Sequence, residues 1–283
     1  YGAILGALYG PVAMLWITFG CILGGAVHDY FSGMMSLRHG GMSLPELIGK
    51  YLGNSSRQII RYLCIILIIL VGVVFATGPA QLLSNMTGMS MPVWAGLIFF
   101  YYFAATILPI DALIGRIYPL FAICLILMAG SMFGALFFCG SEIIPECTIS
   151  FGTHPAGLPV WPMLFITIAC GAISGFHATQ SPMMARCIKS ERQGRAVFYG
   201  PMITEGIIAL IWCAVGLTFY QSPEAMNEAI KAGSASKVVF DSSNSMLGHT
   251  GSILAILGVV VLPITSGDTA LRSARLMIAD ALH

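Results

Sequence analysis

The sequence predicts an all-α integral membrane protein, and three observations carry that prediction. Charged residues make up only 9% of the 283-residue chain, against about 25% in ordinary soluble domains. Hydrophobic residues make up 57%. The apolar residues lie in long runs: residues 1–27, 62–110, 117–141 and 147–185 contain no Asp, Glu, Lys or Arg, which is the signature of chain that crosses a bilayer. The formal net charge of +1 leaves no nucleic-acid signature. The chain opens with Tyr inside a hydrophobic segment, with no charged leader and no cleavage site. It is therefore read without a signal peptide, and as a piece of a longer protein.

A spanning helix needs about 20 apolar residues. Seven transmembrane helices are expected, near 1–27, 60–84, 92–109, 117–138, 162–185, 196–219 and 251–267, within one transmembrane domain, 1–283. The breaks between them carry turn residues, such as Gly78-Pro79 and the stretch from Gly88 to Pro92. Basic residues set the orientation, because Lys and Arg concentrate in cytoplasmic loops. The connections 28–61, 109–116, 186–195 and 268–283 hold 11 of the 13 basic residues, and only Lys231 and Lys237 lie on the other side. The first span thus enters from outside, and the chain ends inside. In the long inner loop, Ser43-Leu44-Pro45-Glu46 has the form of a capping box. Leu44, Leu47, Ile48, Tyr51 and Leu52 follow at helical spacing, and Gly53 can end the helix. Such a helix is expected to lie in the membrane surface.

Five of the eight cysteines, Cys21, Cys64, Cys124, Cys170 and Cys213, lie in apolar runs as small buried side chains, and no CxxC spacing occurs. Cys139 and Cys147 flank an acidic outer loop with Glu142 and Glu146. They can pair in an oxidising compartment or remain free thiols.

An internal repeat sets the architecture. Tyr9-Gly10-Pro11 returns as Tyr199-Gly200-Pro201, an offset of 190, and Ala76-Thr77-Gly78 has a looser echo in Thr265-Ser266-Gly267, an offset of 189. The offset covers five spans. An odd number inverts the second copy in the membrane, so a five-plus-five inverted repeat is expected. The first repeat would cover about 1–138 and lack its first helix; the second would begin near 162 and be incomplete. In such folds the first helix of each repeat is broken at mid-membrane, and the break binds the substrate.

The span that opens the second repeat contains CGAISGFHATQSP, residues 170–182. Measured from Pro162 at the outer surface, Gly171 to Gly175 lie about 13–20 Å deep. Unwinding there frees backbone N–H and C=O groups, tolerated only against a cavity or inside protein. Ser174, Gly175, His177, Thr179, Gln180 and Ser181 are therefore the candidate substrate-binding residues. A close helix interface is the plainer account of the same small and polar residues. Glu205 is the one acidic residue well inside a span, about 13 Å from its inner end. A carboxylate there is costly unless protonated, paired or wetted, which suits a proton carrier. Thr265, Ser266 and Thr269 offer oxygens to a Na⁺ ion where the last span is expected to loosen; an inner-end cap is the alternative. Asp268 and Arg272 are spaced to pair. His28-Asp29 and Arg38-His39 fall at the inner mouth of the first span, and Asp111 and Arg116 at a short inner turn, where charges usually anchor a helix end or, more rarely, gate. No organic cofactor is expected, only H⁺ or Na⁺ as coupling ion. No phosphate loop, HExxH or GxSxG occurs.

The stretches GGAVHDYFSGMMSLRHGGMSLPEL (24–47), IGRIYPLF (114–121), GAISGFHATQSPMMARC (171–187), YGPMITEGIIALIW (199–212) and TSGDTALRSARLMIAD (265–280) resemble the carbon starvation protein A (CstA) family. The resemblance covers nearly the whole chain. It implies a multi-pass inner-membrane protein of bacteria or archaea, related in architecture to the five-plus-five amino acid–polyamine–organocation (LeuT-like) transporters. It implies uptake of peptides, or in some members pyruvate, when preferred carbon is scarce. It also implies a longer chain, with a first broken helix before Tyr1 and further helices after His283. The expected partners are a small-molecule substrate and membrane lipid, with no nucleic acid. The rival reading is a membrane-embedded nutrient sensor that binds without transport. An enzyme is the poorest fit, for want of a nucleophile–base or metal constellation.

Overall fold

The computed structural model describes residues 2–107, 111–138, 154–172 and 175–282, and the regular structure among them is helical. Helix α1 (Gly2–Ala7) and helix α2 (Val12–Phe19) are separated by a turn at Tyr9-Gly10-Pro11. Gly10 takes φ 78° there, a left-handed conformation that side chains disfavour. From α2 the helix continues through a π-helical turn, Gly20–Gly25, into α3 (Ala26–Arg38). The long apolar helix is thus Val12–Arg38, not 1–27. The shift of about three turns has a physical cause: the Gly-Pro turn divides the apolar run before its middle. The first part of the expected inner loop is therefore helix, and His28 and Asp29 lie within the bundle.

Helix α4 (Leu44–Leu52) ends at Gly53, φ 88°, where the pattern predicted. Its capping box does not form. Ser43 has the extended backbone of a cap, but its side chain makes no capping hydrogen bond. Glu46 instead reaches helix α5 (Asn54–Thr87), 2.5 Å from Arg61 and 3.3 Å from Arg57. Two charged partners outweigh one backbone N–H. The pair of contacts ties α4 along the end of α5.

The chain continues with α6 (Met91–Ile107), α7 (Asp111–Phe138), α8 (Phe165–Ala172), α9 (Gly175–Ala185), α10 (Gly200–Tyr220) and α11 (Pro223–Leu282). π-helical turns at Val160–Leu164 and Arg195–Tyr199 lead into α8 and α10. Helix α11 is broken at Gly233-Ser234 and at Gly248. Its early segments occupy the expected outer loop after the sixth span and bury Val238, Val239, Ser242 and Ser243. Among the described residues, five helical stretches are long and apolar enough to cross a membrane: Val12–Arg38, Asn54–Thr87, Pro119–Phe138, Glu191–Tyr220 and Ala255–Ala279. The expected spans at 92–109 and 162–185 correspond to shorter apolar helices, Met91–Ala105 and Val160–Ala169. The expected mid-membrane break reaches residues 173–174, outside the described residues, as do Cys139 and Cys147.

The main core joins α1, α2, α7, α8, α10 and α11 through Ile4, Ile17, Met132, Ile168, Val215 and Ile256. A second cluster, including Ile68, Phe176, Ala270 and Met277, joins α5, α9 and α11. Leu23, Leu70, Phe100, Phe103 and Phe138 are exposed, an apolar surface that lipid accommodates and water does not.

The two halves of the Ala76/Thr265 echo meet across one tyrosine. Pro79 lies inside α5 and has no N–H, so the Phe75 carbonyl loses its helical partner. Tyr102 Oη donates to that carbonyl at 3.1 Å and lies 3.4 Å from the Pro263 carbonyl. Gly267 makes the slot: a Cβ there would collide with Tyr102 Oη. The Tyr-Gly-Pro copies differ, since the first is a turn and the second continues as helix, with Gly200 at φ −58°.

Candidate functional site

Three helices bring titratable side chains to one place: α3 carries His28 and Asp29, α9 carries His177, and α10 carries Glu205. Each acidic residue follows a π-helical turn by less than ten residues. One extra residue in a turn rotates the following helix face by about 100°, so these turns re-aim Asp29 and Glu205. Close packing fixes the helices. A Cβ at Gly33 of α3 would overlap the Phe198 ring, and one at Gly206 of α10 would lie 3.0 Å from the Cys21 Cβ.

The side chains form a line. His28 Nδ1 is 2.9 Å from Asp29 Oδ1. The other Asp29 oxygen is 3.2 Å from His177 Nδ1, close but not aligned as a hydrogen bond. His177 Nε2 is 3.8 Å from Glu205 Oε2. Asp29 and His177 expose 13% and 18% of their side chains, whereas Glu205 exposes 50%. That open surface lines a cavity of about 200 Å³, with Cys21, Met128, Ile168, Met202 and Trp212 among its walls. The line therefore joins a buried carboxylate to one that faces an apolar chamber. Protons can pass along such a line only where neighbours come within about 2.6–3.2 Å or share a water, so the His177–Glu205 gap is its open link.

Of the expected residues that are described, His177 and Glu205 bring their side chains together. Thr179 Oγ1 donates to the Phe176 carbonyl at 2.7 Å, Gln180 Nε2 to Thr179 Oγ1 at 3.4 Å, and Ser181 Oγ to the His177 carbonyl at 3.0 Å. The Thr179 carbonyl accepts from Ser273 Oγ of α11 at 3.0 Å. Gly175 begins α9, and Ser174 lies outside the described residues. On α11 the helix is continuous through Thr265, Ser266 and Thr269. Thr265 Oγ1 donates to the Leu262 carbonyl at 2.9 Å, and Thr269 Oγ1 to the Ser266 carbonyl at 2.9 Å. Asp268 and Arg272 pair through two hydrogen bonds of 3.0 and 2.9 Å, and both are buried. Sequence reasoning missed Asp29 as a member of the cluster. The signal was a His-Asp pair directly abutting an uncharged run.

Comparison with known proteins decides the family. The profile of carbon starvation protein CstA matches residues 1–87 and 63–239. The chain belongs to the carbon starvation protein CstA family. Asp29, His177 and Glu205 all fall within the residues matched to CstA, and Thr265, Ser266 and Thr269 fall beyond them. An uncharacterized membrane protein of Haemophilus influenzae is 46% identical, over 82% of this chain and 77% of its own length. A Helicobacter pylori protein named peptide transporter CstA is 30% identical, over 74% of this chain and 40% of its own length. The pyruvate/proton symporter BtsT of Escherichia coli is 25% identical, over 75% of this chain and 40% of its own length. The chain thus spans about two fifths of the length of these named transporters. No solved structure matches it. With its apolar helices and membrane relatives, this CstA chain is a multi-pass protein of the plasma membrane.

Proposed function

We propose that the chain forms part of a secondary active transporter that imports peptides or pyruvate and couples their entry to a proton by alternating access. The observation that carries this reading is the Asp29–His177–Glu205 line, held by three helices and open at one end to a cavity. Ionisable side chains inside a membrane bundle are costly, and their usual reason for being there is an ion or substrate path. Glu205 is the proton carrier in this reading, and His177 is its partner. Gly175, His177, Thr179, Gln180 and Ser181, with Ser174, remain the proposed substrate surface, through backbone groups near the start of α9. A Na⁺ site at Thr265, Ser266 and Thr269 would include two oxygens, those of Thr265 and Thr269, whose hydroxyl protons already serve the α11 backbone; a hydroxyl oxygen keeps lone pairs for a cation. Seven spans arranged as an inverted repeat complete the proposal. The relatives named for peptide transport and pyruvate/proton symport support the substrate range.

Uptake of radiolabelled pyruvate and dipeptide into vesicles containing the full-length protein, under separately imposed H⁺ and Na⁺ gradients, tests the proposal. H⁺-driven accumulation is expected, with Glu205→Gln removing the dependence on the H⁺ gradient and His177→Gln weakening it. Unchanged gradient-driven uptake in both variants would remove these residues from the mechanism. Binding without accumulation would make the protein a sensor.

A further inference from the structure

The Glu205–His177–Asp29 line meets the cavity at Glu205, and His28 stands at its other end. His28 Nδ1 lies 2.9 Å from Asp29 Oδ1, the shortest link of the line and an aligned hydrogen bond. His28 exposes 35% of its side chain, against 13% for Asp29, so the line leaves the bundle through this imidazole. The surroundings of His28 differ in the two directions along its helix. Outward, residues 19–27 carry no hydroxyl, amide or charged side chain. Inward, Ser32, Ser36 and His39 follow at steps of three or four residues, on the same helix face as His28. Ser32 is half-buried, and its Oγ donates to the Asp29 carbonyl at 3.2 Å. Ser36 Oγ donates to the Met42 carbonyl at 2.7 Å, and His39 Nε2 lies 2.8 Å from Tyr51 Oη at the inner end. Beside this strip, Leu23, Val27, Phe31 and Met35 form an exposed apolar face suited to lipid. Ionisable side chains within a membrane bundle face its interior or a wetted groove rather than lipid.

We propose that His28 is the inner port of the proton path: a proton taken up at Glu205 leaves the bundle through Asp29 and His28 to water on the cytoplasmic side, by a route of its own. The proposal rests on the transporter reading and adds to it the residue that discharges the proton. The transfers balance. The O–H bond at Glu205 Oε2 breaks as an N–H bond forms at His177 Nε2. The N–H bond at His177 Nδ1 breaks as an O–H bond forms at Asp29 Oδ2. The Asp29 carboxyl turns, its O–H bond breaks, and an N–H bond forms at His28 Nδ1. His28 Nε2 then gives its proton to water. Each imidazole takes a proton on one nitrogen and gives one up from the other, so one proton leaves for each that arrives and no electron moves. Two links need a bridging water or a closer approach: His177–Glu205 at 3.8 Å, and His177–Asp29 at 3.2 Å but unaligned. While they stay open, no proton runs through uncoupled from substrate. The other titratable groups on the packed elements are Cys21, which shares the cavity wall with Glu205, and Tyr199, whose Oη donates to the Ile22 carbonyl at 3.4 Å. Arg38, at the inner end of α3, is paired with Glu191.

Two measurements on the full-length protein test this. In a cysteine-free background, His28→Cys is expected to react with a membrane-impermeant methanethiosulfonate in inverted vesicles and not in intact cells. Reaction from the outer face alone, or from neither face, overturns the proposal, and this measurement does not require that the protein transport anything. In sealed vesicles, His28→Ala is expected to slow H⁺-driven uptake by about 100-fold, the lower scale for loss of one proton-transfer group. Imidazole added on the cytoplasmic side should restore it. His28→Gln keeps a hydrogen bond to Asp29 but carries no proton, so it should be as slow as His28→Ala. Full uptake in His28→Gln, or no response of His28→Ala to imidazole, would make His28 a structural partner of Asp29 and overturn the port. Failure of the transporter reading looks different: no accumulation by the parent protein under either gradient, whatever the labelling at position 28.

Discussion

At the scale of single residues, burial of a charge in this bundle is tolerated where an opposite charge lies within reach, on the same helix or a neighbouring one. Asp268 and Arg272 show the rule: 1% and 9% of their side chains are exposed, and two hydrogen bonds join them. Removing one partner leaves the other charge buried without its ion pair, which costs about 3–5 kcal/mol, whereas replacing both by apolar residues costs far less. Asp268→Asn is therefore expected to lower the unfolding free energy in detergent by about 3–5 kcal/mol, and the double replacement Asp268→Leu with Arg272→Met by much less. Equal losses in the two would show that the pair is not what stabilises this turn of α11. The i,i+4 spacing of this pair was legible in the sequence, because it depends on one helix alone. Glu205 and His177 were legible for a related reason: each is a polar residue in a span that has no use for one. Asp29 was not, because its partner lies 148 positions away and its own helix boundary depends on the backbone of Gly10.

At the scale of elements, small residues govern how closely the site helices approach. Gly33 leaves room for the Phe198 ring and Gly206 for Cys21; the first contact pins α3 against the π-helical turn before α10, and the second pins the π-helical turn before α3 against α10. A methyl group at Gly33 would overlap a ring, but one at Gly206 would lie 3.0 Å from a small side chain. Overpacking typically costs about 1–3 kcal/mol. Gly33→Ala is expected toward the upper end of that range and Gly206→Ala toward the lower, by thermal or chemical unfolding in detergent; a reversed order would show that the Phe198 ring moves aside freely. The length of the apolar runs revealed most of these helices, and Gly53 revealed where α4 stops. It could not reveal the π-helical turns at Gly20–Gly25 and Arg195–Tyr199. One extra residue per turn leaves composition unchanged and alters only the face presented. Nor could it reveal the helices of the early part of α11, whose Gly and Ser content reads as loop and whose order comes from burying Val238 and Val239.

At the scale of the whole molecule, orientation follows from charge, and charge predicts which side each connection faces. Cys187 is exposed just after α9, beside Arg186, Lys189, Arg192 and Arg195, and basic segments of this kind stay cytoplasmic. Lys231 lies beyond α10, in the first segment of α11. Glu191–Tyr220 is long and apolar enough to span the membrane between them, so the two positions belong on opposite faces. In a cysteine-free background carrying only Cys187, a membrane-impermeant maleimide is expected to label inverted vesicles and not intact cells. A single cysteine introduced as Lys231→Cys should label from outside intact cells. Labelling of both from one side would mean that α10 does not cross. The helix that follows the second Tyr-Gly-Pro copy would then have no crossing counterpart to the helix after the first, and the expected inverted repeat would fall with it. Opposite labelling would instead leave Glu205 on a helix that crosses the bilayer, about 15 Å along the axis from Arg195 at 1.5 Å per residue. A carboxylate at that depth is costly unless it is protonated, paired or wetted, and the cavity beside it leaves room for each.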